Sequence, residues 1–481
     1  MTTTSTVRLL LISLIVPVGI SGTLPAFAQQ AQDEIAQAPQ LSTVQTDPSV
    51  SRANPAKAAP AQAPAAGKTP LKGQASHTSE GDTKQALTAD QMLKAATSLV
   101  GRYRGTWQMF LQNPCHTGNA AVDLTHVPIG RLHWSFPAEG PIDSSPAIYK
   151  GVVYVGSDDG NVYAVDERTG SMLWHTKLGD KVKSSPAVAE GIVVIGCEDK
   201  KLYALDSHSG RVLWSFEAGD RISSSPAVVD NVAYVGSWDG YLYAIDVKTG
   251  ALKWKFETEG RITSSPAVGP DMVIVSTHGA GSAPAAHVAP PAPGSAVPSP
   301  TGVTATSGFL GGSVFALNTA DGSVLWQYKT GGKIFSSPLI FDGLVYFGSW
   351  DKTFYAVELA TGKLKWKFRG SETFSISPVA ANGKVFIGND DLKMYCLDSV
   401  SGRLLWKTAL NSPVPLLTSS PAIEGNMLYV GSSDANVYAL DTRNGGIKWK
   451  YKTQRPIVSS PAVSLSGVCV GSQDGNLYSL D

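Results

Sequence analysis

Residues 144–174 read SSPAIYKGVVYVGSDDGNVYAVDERTGSMLW, and residues 184–214 and 224–254 repeat that pattern almost position for position. Self-similarity at a fixed period marks a repeat architecture and outranks any local signal. Each unit holds four short apolar runs with period-two alternation, parted by Gly-bearing turns. That is the signature of strands. Asp159-Gly160 and Asp239-Gly240 suit tight hairpins, because glycine accepts positive φ without a clash. They are read as the first hairpin turn of the unit, and Thr169-Gly170 as the second. Four antiparallel strands every 40 residues make a propeller blade.

Two counts give eight blades. Periodic tryptophans stand at 134, 174, 214, 254, 326, 366, 406 and 449, and inner-strand motifs end in Pro at 146, 186, 226, 266, 338, 378, 421 and 461. One Trp–Trp gap is 72 residues rather than 40 or 43, so blade four carries an Ala/Pro/Gly/Ser-rich insert at about 279–311. The last unit stops at Tyr478-Ser479-Leu480-Asp481, before its tryptophan strand, whereas Leu132-His133-Trp134-Ser135-Phe136 precedes any Ser-Ser-Pro. The expected fold is all-β, an eight-bladed β-propeller of four-stranded antiparallel blades over residues 105–481, closed by the N-terminal strand completing the last blade. Closure removes open sheet edges. Blades diverge toward the rim, and each tryptophan is expected to fill the wedge between neighbours. Burying one is worth on the order of 4–6 kcal/mol gross.

Composition narrows the function classes. Lys+Arg and Asp+Glu both number 39, which argues against a nucleic-acid binder. Four cysteines in 481 residues exclude a disulfide scaffold. Cys197, Cys396 and Cys469 replace the ordinary repeat residues Ser157, Ala164 and Tyr154, which suits buried free thiols. A Cys115–Cys469 bridge is the one pairing to weigh in an oxidising compartment. Residues 1–28 read as a signal peptide: Arg8, an apolar run from Leu9 to Ile20, and Ala26-Phe27-Ala28 before the cleavage site. The apolar run is too short for a comfortable span. The expected location is therefore periplasmic or secreted, with no transmembrane segment in the mature chain. Residues 29–85 lack aromatics and read as a disordered Ala/Pro/Gln-rich linker. Residues 86–104 read as a short helix, with Thr88 and Gln91 at capping-box spacing and Met92, Ala96 and Tyr103 on one face.

The stretch Ala164-x-Asp166-x-x-Thr169-Gly170-x-x-x-Trp174 resembles the tryptophan-docking motif of quinoprotein-type (PQQ-like) eight-bladed propellers. It recurs at Ala204–Trp214 and Ala244–Trp254, and in degraded form up to Ala439–Trp449. Trp107-Gln108-Met109-Phe110, followed by His116-Thr117-Gly118, is similar to the opening of such propellers. The resemblance implies one of two branches. Quinoprotein dehydrogenases hold pyrroloquinoline quinone (PQQ) and Ca²⁺ over the channel, while BamB-like propellers are non-catalytic. The chain has no adjacent Cys-Cys pair, and its inner strands repeat Ser-Ser-Pro-Ala, whereas Ca²⁺ wants convergent carboxylates or amides. It also lacks a cysteine near the cleavage site for lipid attachment. The expected protein is a monomeric, non-enzymatic scaffold with a protein partner in the cell envelope, and no cofactor. A PQQ/Ca²⁺ oxidoreductase and a glycan or cell-wall binding module are the alternatives.

Strands alternate in direction, so interblade loops share a face with the Asp-Gly turns. On this face Lys181, Arg221, Arg261 and Lys333 fall at one aligned position, a basic arc fit for an anionic ligand or acidic partner. Read blandly, they are solvated loop charges beside Asp180, Asp220 and Glu259. Trp238 and Trp350 occupy the turn position that holds Asp158, Glu198 or Gln473 in sibling blades. Surface aromatics are enriched where proteins bind, although both rings could simply pack on loop neighbours. No residue is expected to be catalytic. Asp159, Asp239 and Asp474 repeat at one turn position and read as turn chemistry. The eight histidines lack metal spacing, with only His278 and His287 near the insert as a weak candidate.

Overall fold

A computed structural model of the chain describes residues 88, 91, 92, 94–96, 98, 109–113, 115–118, 128–279, 311–410, 419–464 and 466–481. The expected signal peptide, the linker, part of the 86–104 helix and the insert between Gly279 and Gly311 lie outside the described residues. Where the helix is described, Thr88 N–H donates to Gln91 Oε1 at 2.8 Å and Gln91 N–H to Thr88 Oγ1 at 3.3 Å, the reciprocal capping box expected from that spacing. No described helix is long and apolar enough to cross a membrane.

The described strands form eight four-stranded antiparallel sheets. In blade one the order from the axis outward is Ala147–Tyr149, Val152–Gly156, Asn161–Asp166 and Met172–Lys177. The innermost strand starts after the Ser-Ser-Pro rather than within it. A two-residue turn at Lys150-Gly151, with φ of 50° and 76°, joins the inner pair. The Asp159-Gly160 turn is therefore the second hairpin of the blade, not the first. The blade still puts that turn and the interblade loop on one face.

Closure works by splitting a repeat between the two ends of the chain. Leu132–Pro137 pairs antiparallel with Asn476–Leu480, with Leu132 opposite Leu480 and Phe136 opposite Leu477. In blade one, Gly170 N–H donates to Asp166 O at 2.9 Å and Asp166 N–H to Ser171 O at 2.8 Å. In blade eight, Gly130 N–H donates to Asp481 O at 2.7 Å and Asp481 N–H to Arg131 O at 2.9 Å. Asp481 thus plays Asp166, and Gly130 plays Gly170.

The docking motif works between blades. Every docking indole N–H donates to a carbonyl of the next blade at 2.7–3.1 Å: Trp134 to Glu167, Trp174 to Ser207, Trp214 to Val247, Trp254 to Thr319, Trp326 to Leu359, Trp366 to Ser399, Trp406 to Thr442 and Trp449 to Pro128. Each ring lies over the motif glycine of that blade; a Cβ on Gly170 would stand 2.7 Å from Trp134. At the axis the serines close a second ring. The N–H of Ser145 donates to Ser185 Oγ, and the same bond passes through Ser225, Ser265, Ser337, Ser377, Ser420 and Ser460 back to Ser145, at 2.9–3.1 Å. A blade missing or added would break this closed circuit.

The opening segment plugs the channel. Ile340, Ala380 and Ile423 of three inner strands donate N–H to the carbonyls of Cys115, Thr117 and Gly118 at 2.9, 3.1 and 2.7 Å. Cys115 Sγ–H donates to Val268 O at 3.2 Å, and all four cysteines are buried and free, so the Cys115–Cys469 bridge does not form. Burial pushes each thiol up to about 12.

His116 is fully buried, and its Nδ1–H donates to Pro338 O at 2.9 Å. Burial lowers its pKa from 6.5 to about 4, with the Pro338 carbonyl opposing. Below pH 6.5 the unfolded chain takes up this proton first. The neutral imidazole's contribution is therefore complete above 6.5 and is lost as pH falls toward 4, on the order of 3 kcal/mol. Urea midpoints should drop between pH 7 and 4.5, and His116→Gln should remove that share of the drop. An unchanged pH slope in the variant would contradict a buried neutral ring.

Candidate functional site

The basic arc and the turn aromatics are brought together on one face, around one end of the channel. In each of these blades the turn residue donates its backbone N–H to the interblade residue: Glu198 to Lys181, Trp238 to Arg221, His278 to Arg261 and Trp350 to Lys333, at 2.9–3.1 Å. The aligned positions are therefore structurally equivalent.

Two clusters form in blades three to five. Trp238 is half-buried between two guanidiniums, with Arg221 Cζ at 4.3 Å and Arg261 Cζ at 4.9 Å from its ring centroid. Its indole N–H donates to Ser223 Oγ at 2.7 Å. This sideways packing makes the ring part of a cation–π stack rather than a free anchor. Trp350 is different: it remains 45% exposed while stacking on Phe335 at 4.5 Å. Phe335 in turn meets His278 at 3.9 Å, and His278 Nε2 is hydrogen-bonded to Thr263 Oγ1 at 2.5 Å. Burial first, then Lys333 and Arg261, lowers the His278 pKa from 6.5 to about 4, so the imidazole is neutral at pH 7.

The arc is not uniform. Lys181 pairs with Asp158 at 3.0 Å, and Lys183 lies 3.3 Å from Asp143 and 3.6 Å from Asp158. Arg221, Arg261 and Lys333 form no ion pair among the described residues. The expected four-residue arc is thus a cationic group of three plus a neutralised lysine. In the next blade beside Trp350, Asp390 accepts from Thr373 Oγ1 and from Ser375 Oγ, and burial raises its pKa. Ser375 also accepts the Trp350 indole N–H at 3.0 Å.

Inside the mouth lies a cup of about 350 Å³, lined by the serine ring, Asp143, Lys183, Ser223, Thr263, Phe335, Trp350 and Phe110 of the plug. Asp143 is the only carboxylate among the described residues of this lining, and it is held by Lys183 and by Gln473 Nε2 at 3.2 Å. The repeated turn aspartates are occupied too: Asp159 accepts from Asn161 N–H at 2.7 Å and Tyr163 O–H at 2.8 Å. No group of three or more His, Cys, Asp or Glu that could hold a metal occurs among the described residues. This donor set does not fit Ca²⁺, which takes six or more oxygens. His287 of the weak metal candidate lies outside the described residues.

Sequence reasoning named His278 only as a weak metal candidate and Phe110 only as part of the opening motif, and it missed Phe335 and Lys183. His278, Phe335 and Lys183 carried a signal: His278 stands 40 residues after Trp238, and Phe335 is the residue before Ser-Ser in its blade, as Lys183 is in blade two. Phe110 belongs to a segment that does not repeat, so no period exposed it.

Comparison with known proteins follows the fold. The profile of the family "Outer membrane protein assembly factor BamB" matches residues 119–255, 210–289, 279–375 and 370–481. Among solved structures, BamB from Moraxella catarrhalis aligns at 18% identity with a TM-score of 0.59, covering 73% of this chain and 100% of that one. A europium-containing methanol dehydrogenase aligns at 15% identity and TM-score 0.65, covering 80% and 92%. The quinohemoprotein alcohol dehydrogenase of Comamonas testosteroni aligns at 14% identity and TM-score 0.62, covering 82% and 84%. Likeness at these identities concerns the fold alone. A curated relative, the beta-alanine-activating enzyme of Danio rerio, is 41% identical over 54 residues; the match spans 11% of this chain and only 5% of that relative's length.

Proposed function

The chain belongs to the family of the outer membrane protein assembly factor BamB, and from that premise we propose that it is an exported, non-enzymatic propeller serving as a protein-binding or envelope assembly scaffold. The observation that carries this reading is the mouth sector of blades three to five. It joins an exposed tryptophan, a guanidinium–indole stack and a lysine with no ion pair among the described residues, and no group of three or more His, Cys, Asp or Glu that could hold a metal occurs among those residues. Surfaces rich in Trp and Arg are where binding energy concentrates. The signal-like N-terminus would deliver the protein to the periplasm or outside the cell, and the linker of residues 29–85 would give it reach.

The test is affinity capture from the native envelope fraction. Replacing Trp238 and Trp350 together by Ala should cut partner recovery about tenfold or more, with a single cooperative unfolding transition retained. Recovery equal to wild type in a folded double variant would remove the assignment.

The dehydrogenase neighbours favour a second reading, quinone-dependent oxidation. Adding PQQ and Ca²⁺ to the purified protein distinguishes it: a bound quinone absorbance with dye-linked alcohol turnover would reverse the order. Retention on a cell-wall sugar matrix would instead favour the glycan reading.

A further inference from the structure

Arg221, Arg261 and Lys333 form no ion pair among the described residues and stand beside a cup of hydroxyl donors. Deepening the scaffold reading, on which it rests, we infer that the partner presents an acidic segment whose carboxylates lie across the Arg221–Trp238–Arg261 stack and reach into the serine-ringed cup.

The stack is preorganised. Both guanidiniums are held against one indole, and that indole is pinned to Ser223. Rigid guanidinium forks match carboxylates in two-point contact and lose little entropy on binding. Lys333 stands in the next blade at the equivalent position, also without an ion pair among the described residues. The cup continues the same demand. Each ring serine accepts a backbone N–H, and no described acceptor takes its own hydroxyl proton. These serines are only 4–6% exposed, and that exposure opens into the cup. A rim of O–H donors with no acceptor among the described residues suits an acceptor-only group such as a carboxylate.

Shape and charge restrict the ligand further. Phe110 and the plug close the channel beyond the serines, so a segment enters the cup without threading through. A space of about 350 Å³ takes one or two side chains. Asp143, Asp158 and Asp390 occupy the rest of the rim. Asp220 and Glu259 adjoin the stack, Glu259 already paired with Lys329 at 3.2 Å, so an extended polyanion such as a nucleic acid would meet every acidic group of the rim, whereas a short acidic stretch centred on the Arg221–Trp238–Arg261 stack meets fewer of them.

The experiment uses the full mature protein at pH 7.4 and low salt, with a fluorescein-labelled, end-blocked hexaglutamate peptide read by anisotropy. Saturable one-to-one binding that weakens with salt is expected. The Arg221→Gln/Arg261→Gln variant should weaken it about tenfold or more, and Lys333→Gln alone about threefold. The Lys253→Gln/Lys365→Gln variant loses the same charge from exposed outer strands and should stay within about twofold. Absence of saturable binding, equal weakening in both double variants, or equal binding of hexaglutamine would overturn the inference. So would inorganic sulfate occupying the site while hexaglutamate does not. If hexaglutamate fails but Trp238/Trp350-dependent capture persists, the scaffold reading stands and only the acidic partner falls. If capture fails as well, the scaffold reading falls with it.

Discussion

Deleting residues 128–137 is expected to abolish the cooperative unfolding transition, although the deletion removes one strand of one blade. Trp134 and Phe136 are 8% and 7% exposed, and truncating a buried aromatic costs about 3–5 kcal/mol. Losing both approaches the whole stability of a domain, about 5–15 kcal/mol. The deletion also bares the edge of Asn476–Leu480 and takes away Pro128 O, the acceptor for Trp449. Blades seven and one would each lose a neighbour, so the damage spreads both ways round the ring. The decisive control restores the strand elsewhere. Because Asp481 already bonds Gly130 and Arg131 as Asp166 bonds Gly170 and Ser171, residues 127–137 appended directly after Asp481 give the same four-residue spacing and can form the fourth strand as an ordinary hairpin. That chain should regain a single transition by circular dichroism in urea. A cooperative transition in the deleted chain, or none in the appended one, would contradict closure by the split repeat.

The period exposed the architecture because every blade solves the same packing problem with the same residues. The Asp-x-x-Thr-Gly-x-x-x-Trp spacing encodes an interblade contact, so eight wedges and the phase of the closing strand could be read without coordinates. Non-repeating parts had no such redundancy. The plug at 109–118 bonds strands more than 150 positions away, as Cys115 does with Val268, and nothing local to it names those partners. The three-residue inner strands hid the Lys150-Gly151 turn, which shifted the hairpin numbering. At the mouth, the aligned basic positions and turn tryptophans were legible. Their partners were not: Lys181 is neutralised by Asp158 of the preceding blade, and Trp238 is clasped by arginines from two blades. Periodicity says which residues share a tier; it does not say which neighbours pair within it.

The docking contact itself yields the second large effect. Trp214→Ala is expected to cost roughly 3–5 kcal/mol, the range for emptying an aromatic site. Its N–H bond to Val247 O at 2.8 Å would go too, and with it the cover over Gly250. Gly250 has φ of +71°, and a Cβ there would lie 2.8 Å from Trp214 Cδ2. Gly250→Ala therefore carries two penalties. One is the left-handed backbone, about 1 kcal/mol. The other is displacement of the indole, about 1–3 kcal/mol as for overpacking elsewhere. Only the second depends on Trp214. In a Trp214→Ala background, Gly250→Ala should cost no more than the backbone part, leaving a coupling of about 1–3 kcal/mol in the double-mutant cycle. Additive costs would mean that the glycine serves its turn alone. A coupling of that size would show instead that each blade keeps a glycine so that its neighbour's tryptophan can lie flat against the backbone. The ring's stability then resides in eight such contacts between blades rather than within any one of them.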